Sequence, residues 1–210
     1  IKVNGEETPG RPFAEDDPPQ PSDPYAVSKW EAEQALQRVA VTTGLELVIV
    51  RPPLIYGPGV KGNFLSLMRL IENGWPLPVG RCNNRRSLLG LGNFVDFLAL
   101  CVRHPAAAGQ TFLVSDGEDL STPELIRRLA AAMGKPPRLL SVPPSWLRVA
   151  TRLLGRAGAY QRLCGSLQVN SGHARQALGW LPPETVNHGL VRTVEGFFQQ
   201  RDGQAATRSG

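Results

Sequence analysis

Tyr25 and Lys29 stand four residues apart in the run Asp23-Pro24-Tyr25-Ala26-Val27-Ser28-Lys29. Pro24 suits the first turn of a helix, and Trp30 to Val39 reads as its continuation. At this spacing two side chains share one helical face, with Cβ atoms about 5–6 Å apart. A free phenol loses its proton near pH ~10, and a neighbouring ammonium favours the phenolate. Such a pair can exchange a proton with a sugar or alcohol hydroxyl during hydride transfer. On an arbitrary helix the same spacing is usually a solvated neighbour pair, so the surrounding elements must carry the distinction.

Those elements alternate between helix and strand. Residues 1–22 read as an irregular loop, with a turn-rich acidic stretch at Pro12-Phe13-Ala14-Glu15-Asp16-Asp17-Pro18-Pro19-Gln20-Pro21. The spacing predicts a helix over 24–43, ended by Gly44 as a C-cap. Residues 45–51 are apolar in nearly every position, as in a parallel strand covered on both faces. They run into the Pro/Gly loop 52–59. A helix is expected over 64–71, closed by Asn73-Gly74, then a short strand over 76–79. The next helix spans 92–103, with Asn93 as its N-cap. Residues 111–114 read as a strand. Ser121 or Thr122 caps the helix 125–133, with Pro123 in its first turn. Residues 138–142 read as a strand, and helices are expected over 145–154, 174–178 and 186–200. The tail 201–210 is small and polar and reads as frayed.

The order of these segments resembles the extended short-chain dehydrogenase/reductase family of NAD-dependent epimerases and dehydratases. The residues carrying the likeness are Tyr25 and Lys29, Arg51-Pro52-Pro53-Leu54-Ile55-Tyr56-Gly57-Pro58-Gly59-Val60-Lys61 and Ser115-Asp116-Gly117-Glu118-Asp119-Leu120-Ser121. With Ile1-Lys2-Val3-Asn4-Gly5-Glu6, they look like the bacterial surface-polysaccharide branch, which acts on UDP-sugars. The resemblance implies an α/β fold, the C-terminal part of a Rossmann-like doubly wound parallel sheet plus a small α/β substrate-binding lobe. It assigns 1–60 to the C-terminal half of the NAD(P)-binding domain and 61–200 mainly to the substrate lobe, interleaved with sheet elements. No Gly-rich dinucleotide turn opens the sequence, and the family's third catalytic residue, a Ser or Thr, aligns just before Ile1. The expectation is a C-terminal portion that does not bind NAD(P) tightly alone.

The resemblance also distributes roles. Tyr25 and Lys29 are the expected catalytic pair and touch the cofactor, which is NAD, with NADP left open. In an open parallel sheet ligands lie beyond the carboxyl ends of the strands, so Pro52, Pro53 and Leu54 face the nicotinamide end. Two prolines there contribute carbonyls and no N–H. Leu54 replaces an amide that the family commonly offers to substrate. Arg51, at the strand end, reads equally as a tie between loops. Asn63 and Lys61 open a helix whose N-terminal amides favour a phosphate, and Asn63 also reads as a plain N-cap. Arg86 and Arg162 align with arginines that grip the substrate diphosphate, and an exposed surface arginine is the alternative for each.

Composition narrows the remaining classes. The 210 residues are 41% hydrophobic and 20% charged, with a net charge of +5. That length can bury a core. Arginine forks suit an anionic diphosphate, whereas nothing resembles the basic, aromatic-interleaved stripe of a nucleic-acid binder. No apolar run reaches membrane-spanning length, so membrane insertion is not expected. Trp146, Leu147, Val149, Leu153 and Leu154, with Arg148, Arg152 and Arg156, form an amphipathic pattern that reads as a helix packed on the substrate lobe rather than a membrane-surface element. Cys82, Cys101 and Cys164 are scattered without a metal pattern and read as reduced cytoplasmic thiols. Leu36 and Val39 share the Tyr25 helix, which in the family joins a homodimer interface.

The reaction type is narrowed by Ile1 and Lys2. Family dehydratases carry an Asp-Glu pair at these positions, and neither residue here can replace it. The resemblance therefore implies 4-epimerisation of a UDP-hexose or UDP-N-acetylhexosamine, or 4-ketoreduction of a UDP-6-deoxy-4-keto-sugar. A non-catalytic dinucleotide-binding or dimerisation module is the alternative from another class.

Overall fold

The computed structural model describes every residue except Pro9, Leu154, Arg156, Ser209 and Gly210, and the side chains of Ala157 and residues 203–208. The first helix, α1 (Pro24–Thr43), begins where its sequence says it should. Asp23 accepts the Ala26 N–H at 2.6 Å, which satisfies one of the donors a helix start leaves unpaired. Gly44 ends the helix at φ 72°, a left-handed conformation that a side chain would resist, and its N–H donates to the Ala40 carbonyl.

Two small sheets follow. Strand β1 (Ile49–Val50) pairs in parallel with β4 (Thr111–Phe112). Strand β2 (Leu54–Tyr56) pairs in parallel with β3 (Arg86–Gly90), which pairs antiparallel with β5 (Asp119–Leu120). The expected strand 45–51 thus keeps only its last residues in a ladder. The expected strands 76–79 and 138–142 reduce to one bridge, Leu77 to Leu139. β2 lies in the stretch read as a Pro/Gly loop, and β3 and β5 fall where the sequence suggested no element, because each is short and flanked by glycine or charge.

The other helices are α2 (Gly62–Glu72), α3 (Leu91–Arg103), α4 (Thr122–Ala132), α5 (Pro144–Leu153), α6 (Ala157–Cys164), α7 (Gly172–Leu178) and α8 (Val186–Arg208). Ser121 caps α4 by accepting the Glu124 N–H. Helix α6 was not expected, and α8 continues through 201–208, where a frayed tail was expected. Gln, Ala and Arg in that stretch are good helix formers, and one Gly does not stop a helix already running. No helix among the described residues is long and apolar enough to cross a membrane.

The main core gathers Phe64, Met68 and Ile71 of α2, Ile126 and Leu129 of α4, and Leu190 and Val194 of α8 around Leu88 of β3. A second cluster sets Phe97 of α3 edge-on to Phe112 and Trp180. Helix α8 approaches the sheet closely at Gly189, where an added Cβ would lie 2.9 Å from the Tyr56 hydroxyl.

A buried polar knot joins these layers. The Tyr56 hydroxyl donates to Asp116 Oδ2 at 2.6 Å, and Asn93 Nδ2 donates to Asp116 Oδ1 at 2.7 Å. The Gly90 N–H also donates to this carboxylate, and Asn93 Oδ1 accepts the Glu184 N–H. Asn93 is therefore not the N-cap of α3. It sits inside the helix, and Gly90 occupies the cap position. Burial raises the Asp116 carboxyl above its usual range, against the pull of the Asn93, Tyr56 and Gly90 donors. A raised pKa in the fold means this group's stabilisation is complete below the ordinary carboxylate range and is lost as pH rises through the raised value. The melting-temperature difference between wild type and Asp116→Asn should therefore shrink as pH rises. Asp116→Ala should cost about 1–3 kcal/mol in urea denaturation, because it orphans buried donors.

Candidate active site

The start of α1 presents Tyr25 and Lys29 on one face. The Lys29 ammonium lies 5.4 Å from the centroid of the Tyr25 ring, and Tyr25 is 60% exposed. Both side chains are open to a ligand. Ala26, the next residue on the helix, is buried and seats its first turn beside this face.

Position is fixed by a buried ion pair that the sequence only half disclosed. Arg51, just beyond β1, donates from Nη2 to Glu33 Oε2 at 2.6 Å and from Nε to both Glu33 oxygens at 3.1 and 3.2 Å. Its Nη1 donates to Asn4 Oδ1 at 3.2 Å, and the guanidinium lies 5.9 Å from the Trp30 ring centroid. The fork is matched to a carboxylate bidentately, which sets direction as well as attraction. One side chain thus joins the strand end, the Tyr25 helix and the N-terminal turn. Glu33, one helical turn after Lys29, was a spacing signal passed over.

The loop after β1 closes the other side. Pro53 is buried, the Pro52 carbonyl accepts the Ile1 nitrogen at 3.0 Å, and Leu54 is 44% exposed in β2. The side chain at Leu54 is open but offers no polar group. Lys2 donates to Asp23, the cap of α1, and to Glu6 at 3.2 Å. Lys2 is thus held as a paired cation beside the apolar side chain of Ile1.

The residues expected on the substrate side form two groups. Arg86, in β3, donates from Nη1 to the carbonyls of Arg162 at 2.9 Å and Gly165 at 3.3 Å. Burial holds its guanidinium below its ordinary value. The strand and the end of α6 are thereby locked together, with Arg162 itself exposed. Lys61 and Asn63 stand exposed at the start of α2. The helix cap falls at Lys61, and no side chain caps it, so Asn63 is not the N-cap. That leaves its amide available to a ligand. Among the described residues no hydrogen bond joins Lys61 or Asn63 to either arginine.

Cys82 and Cys164 correct the expectation of reduced thiols. They form a disulfide across 82 residues, with Cα atoms 5.3 Å apart, and Cys101 remains free. The bond fastens the loop before Arg86 to the end of the helix bearing Arg162. Distant cysteines give no pairing signal in a sequence. Among the described residues no His, Cys, Asp and Glu cluster could hold a metal.

Known proteins resemble this chain in sequence and in fold. The UDP-glucose 4-epimerase of Vibrio cholerae is 47% identical over 201 residues, covering 95% of this chain and 61% of that protein. The N-acetyl-alpha-D-glucosaminyl-diphospho-ditrans,octacis-undecaprenol 4-epimerase of Escherichia coli O157:H7 is 27% identical over 198 residues, covering 88% of this chain and 60% of that protein. The crystal structure of UDP-glucose 4-epimerase from Thermotoga maritima with UDP-glucose superposes with a TM-score of 0.72 at 20% identity, covering 95% of this chain and 61% of that one. The chain spans about three fifths of the length of these relatives. The model of the NAD dependent epimerase/dehydratase family matches residues 2–115, over half of the sequence. By that match, and by a fold the solved relatives share, the chain belongs to the NAD dependent epimerase/dehydratase family.

Proposed function

We propose that this chain supplies the acid/base pair and the substrate lobe of an NAD-dependent nucleotide-sugar 4-epimerase acting on a UDP-hexose or UDP-N-acetylhexosamine. The observation that carries the reading is the shared, open face of Tyr25 and Lys29, held beside the end of β1 by Arg51 and Glu33. The chemistry of that face fits NAD: a phenol and an ammonium share it, on a helix tied to the end of a parallel strand by Glu33 and Arg51. NAD, when bound, supplies a hydride acceptor that becomes a donor on the return step.

Tyr25, as phenolate, takes the proton of the sugar C4 hydroxyl as hydride leaves C4. Lys29 stabilises the phenolate. After the keto sugar turns, Tyr25 returns the proton as hydride comes back to the other face. Pro52, Pro53 and Leu54 line the cofactor side, and Asn63, Lys61, Arg86 and Arg162 take the UDP diphosphate. Support for a UDP-sugar comes from the 47% identity to the Vibrio cholerae UDP-glucose 4-epimerase. Homodimerisation is part of the proposal, since Leu36 and Val39 are exposed on α1.

The deciding experiment offers the full-length enzyme that contains this chain a panel of UDP-sugars, follows NADH absorbance and separates the products. Interconversion of C4 epimers without net NADH consumption is expected. Net consumption of reduced cofactor would replace the reading with 4-ketoreduction. Asn63→Ala should raise KM about 2–10-fold with kcat nearly unchanged, the cost of one hydrogen bond made equally in ground and transition states. Because Asn63 caps nothing, its thermal melt should not move.

A further inference from the structure

The expectation that α5 packs its apolar face on the lobe is overturned for most of that face. Leu147 does pack on the main core. No described side chain of the helix is fully buried, however, and Trp146, Val149 and Leu153 are 71%, 57% and 82% exposed. Leu154 and Arg156 lie outside the described residues. The three exposed side chains follow at intervals of three and four, so they form one stripe along the helix. Arg148 and Arg152, also exposed and four apart, run beside it.

The charge around this helix is one-sided. Between Glu124 and Glu184 stand nine arginines and lysines and no aspartate or glutamate. Two of the nine, Arg127 and Arg128, pair with Glu124 and Glu118 outside this stretch, as Arg192 pairs with Glu184 and Arg201 with Glu72. Among the described residues no salt bridge involves Arg148 or Arg152.

We propose that α5 docks on an anionic phospholipid surface, with Trp146, Val149 and Leu153 in the headgroup–acyl boundary and Arg148 and Arg152 among the phosphates. An amphipathic helix of this kind binds in the interface plane by adding buried apolar area to electrostatic attraction. An indole suits that depth, with an apolar body and one N–H donor. A second copy is a poor occupant, because two such faces would bring together cations with no acid to offset them. A protein partner is also a poor match, since three side chains on one short helix fall well below the ~1,200–2,000 Å² of a stable interface. The proposal is independent of the 4-epimerase reading.

The test is flotation of the 210-residue chain with vesicles of phosphatidylcholine alone or mixed with phosphatidylglycerol. Flotation is expected with the anionic vesicles only. Arg148→Ala with Arg152→Ala should weaken partitioning by roughly fivefold per arginine. Trp146→Ser with Val149→Ser and Leu153→Ser should abolish it, with an unchanged thermal melt showing that the fold survives. A second readout uses brominated acyl chains, which should quench wild-type emission more than that of Trp146→Phe. The proposal is overturned by no flotation, by equal flotation with neutral vesicles, or by flotation that survives the triple serine variant. Concentration-dependent dimerisation lost in that same variant, without vesicle binding, would assign the face to a second copy instead.

Discussion

Replacing Tyr25 by Phe is expected to lower 4-epimerase turnover by about 10²–10⁴-fold, the contribution of a positioned proton-transfer group. The substitution removes one oxygen from an exposed ring and leaves the packing below it untouched, because Ala26 and not Tyr25 seats the helix. A turnover loss should therefore come without a shift in thermal melt. Lys29→Met should also lower turnover, because the ammonium beside the Tyr25 ring is lost while the ring itself stays in place. The pair of variants separates two accounts. If Tyr25 only lined the site, Tyr25→Phe would change KM and leave kcat alone. Near-normal kcat in Tyr25→Phe would remove the assignment.

What made the pair legible was local. Asp23, Pro24 and Gly44 are start and stop signals whose physics is complete within one turn, so α1 is found where the sequence places it. The same holds for Ser121, Thr122 and Pro123 at the start of α4. Where local signals mislead, a distant contact has outbid them. Asn93 looks like a cap because its amide can satisfy a nearby N–H, yet in the fold it satisfies Asp116 and Glu184 from inside the helix. Asn63 looks like a cap but lies two residues past the cap position, which Lys61 occupies.

Strands were harder for a related reason. A strand is stabilised by its neighbours, and β3 is flanked by β2 and β5, which precede and follow it by some thirty residues. Nothing within Arg86-Ser87-Leu88-Leu89-Gly90 announces those partners. The disulfide between Cys82 and Cys164 is hidden in the same way. Helix α5 shows the opposite failure: its pattern was read correctly as amphipathic, but periodicity reports only that a face is apolar. Whether that face meets the protein's own core or something else is settled by the fold, which buries Leu147 partly and leaves Trp146, Val149 and Leu153 outside.

Arg51→Ala is expected to cost about 3–5 kcal/mol in urea denaturation, the usual penalty for leaving one member of a buried ion pair uncompensated. The side chains of Arg51 and Glu33 are 7% and 13% exposed, so water does little to relieve the orphaned carboxylate. The loss should not be repaired by Arg51→Lys, because a point charge cannot donate to both Glu33 oxygens and to Asn4 together. Arg51→Leu with Glu33→Leu should recover most of the stability, since an apolar pair of similar volume removes the desolvation cost along with the attraction. Turnover should separate from stability here. The double leucine variant keeps the helix in place by packing but loses the bidentate fork that fixes its direction, so Tyr25 should sit less accurately and kcat should stay below wild type. If kcat returned fully with stability, the ion pair would be only an anchor, and the aim of the Tyr25–Lys29 face would have to be set by the caps of α1 and the burial of Ala26 alone.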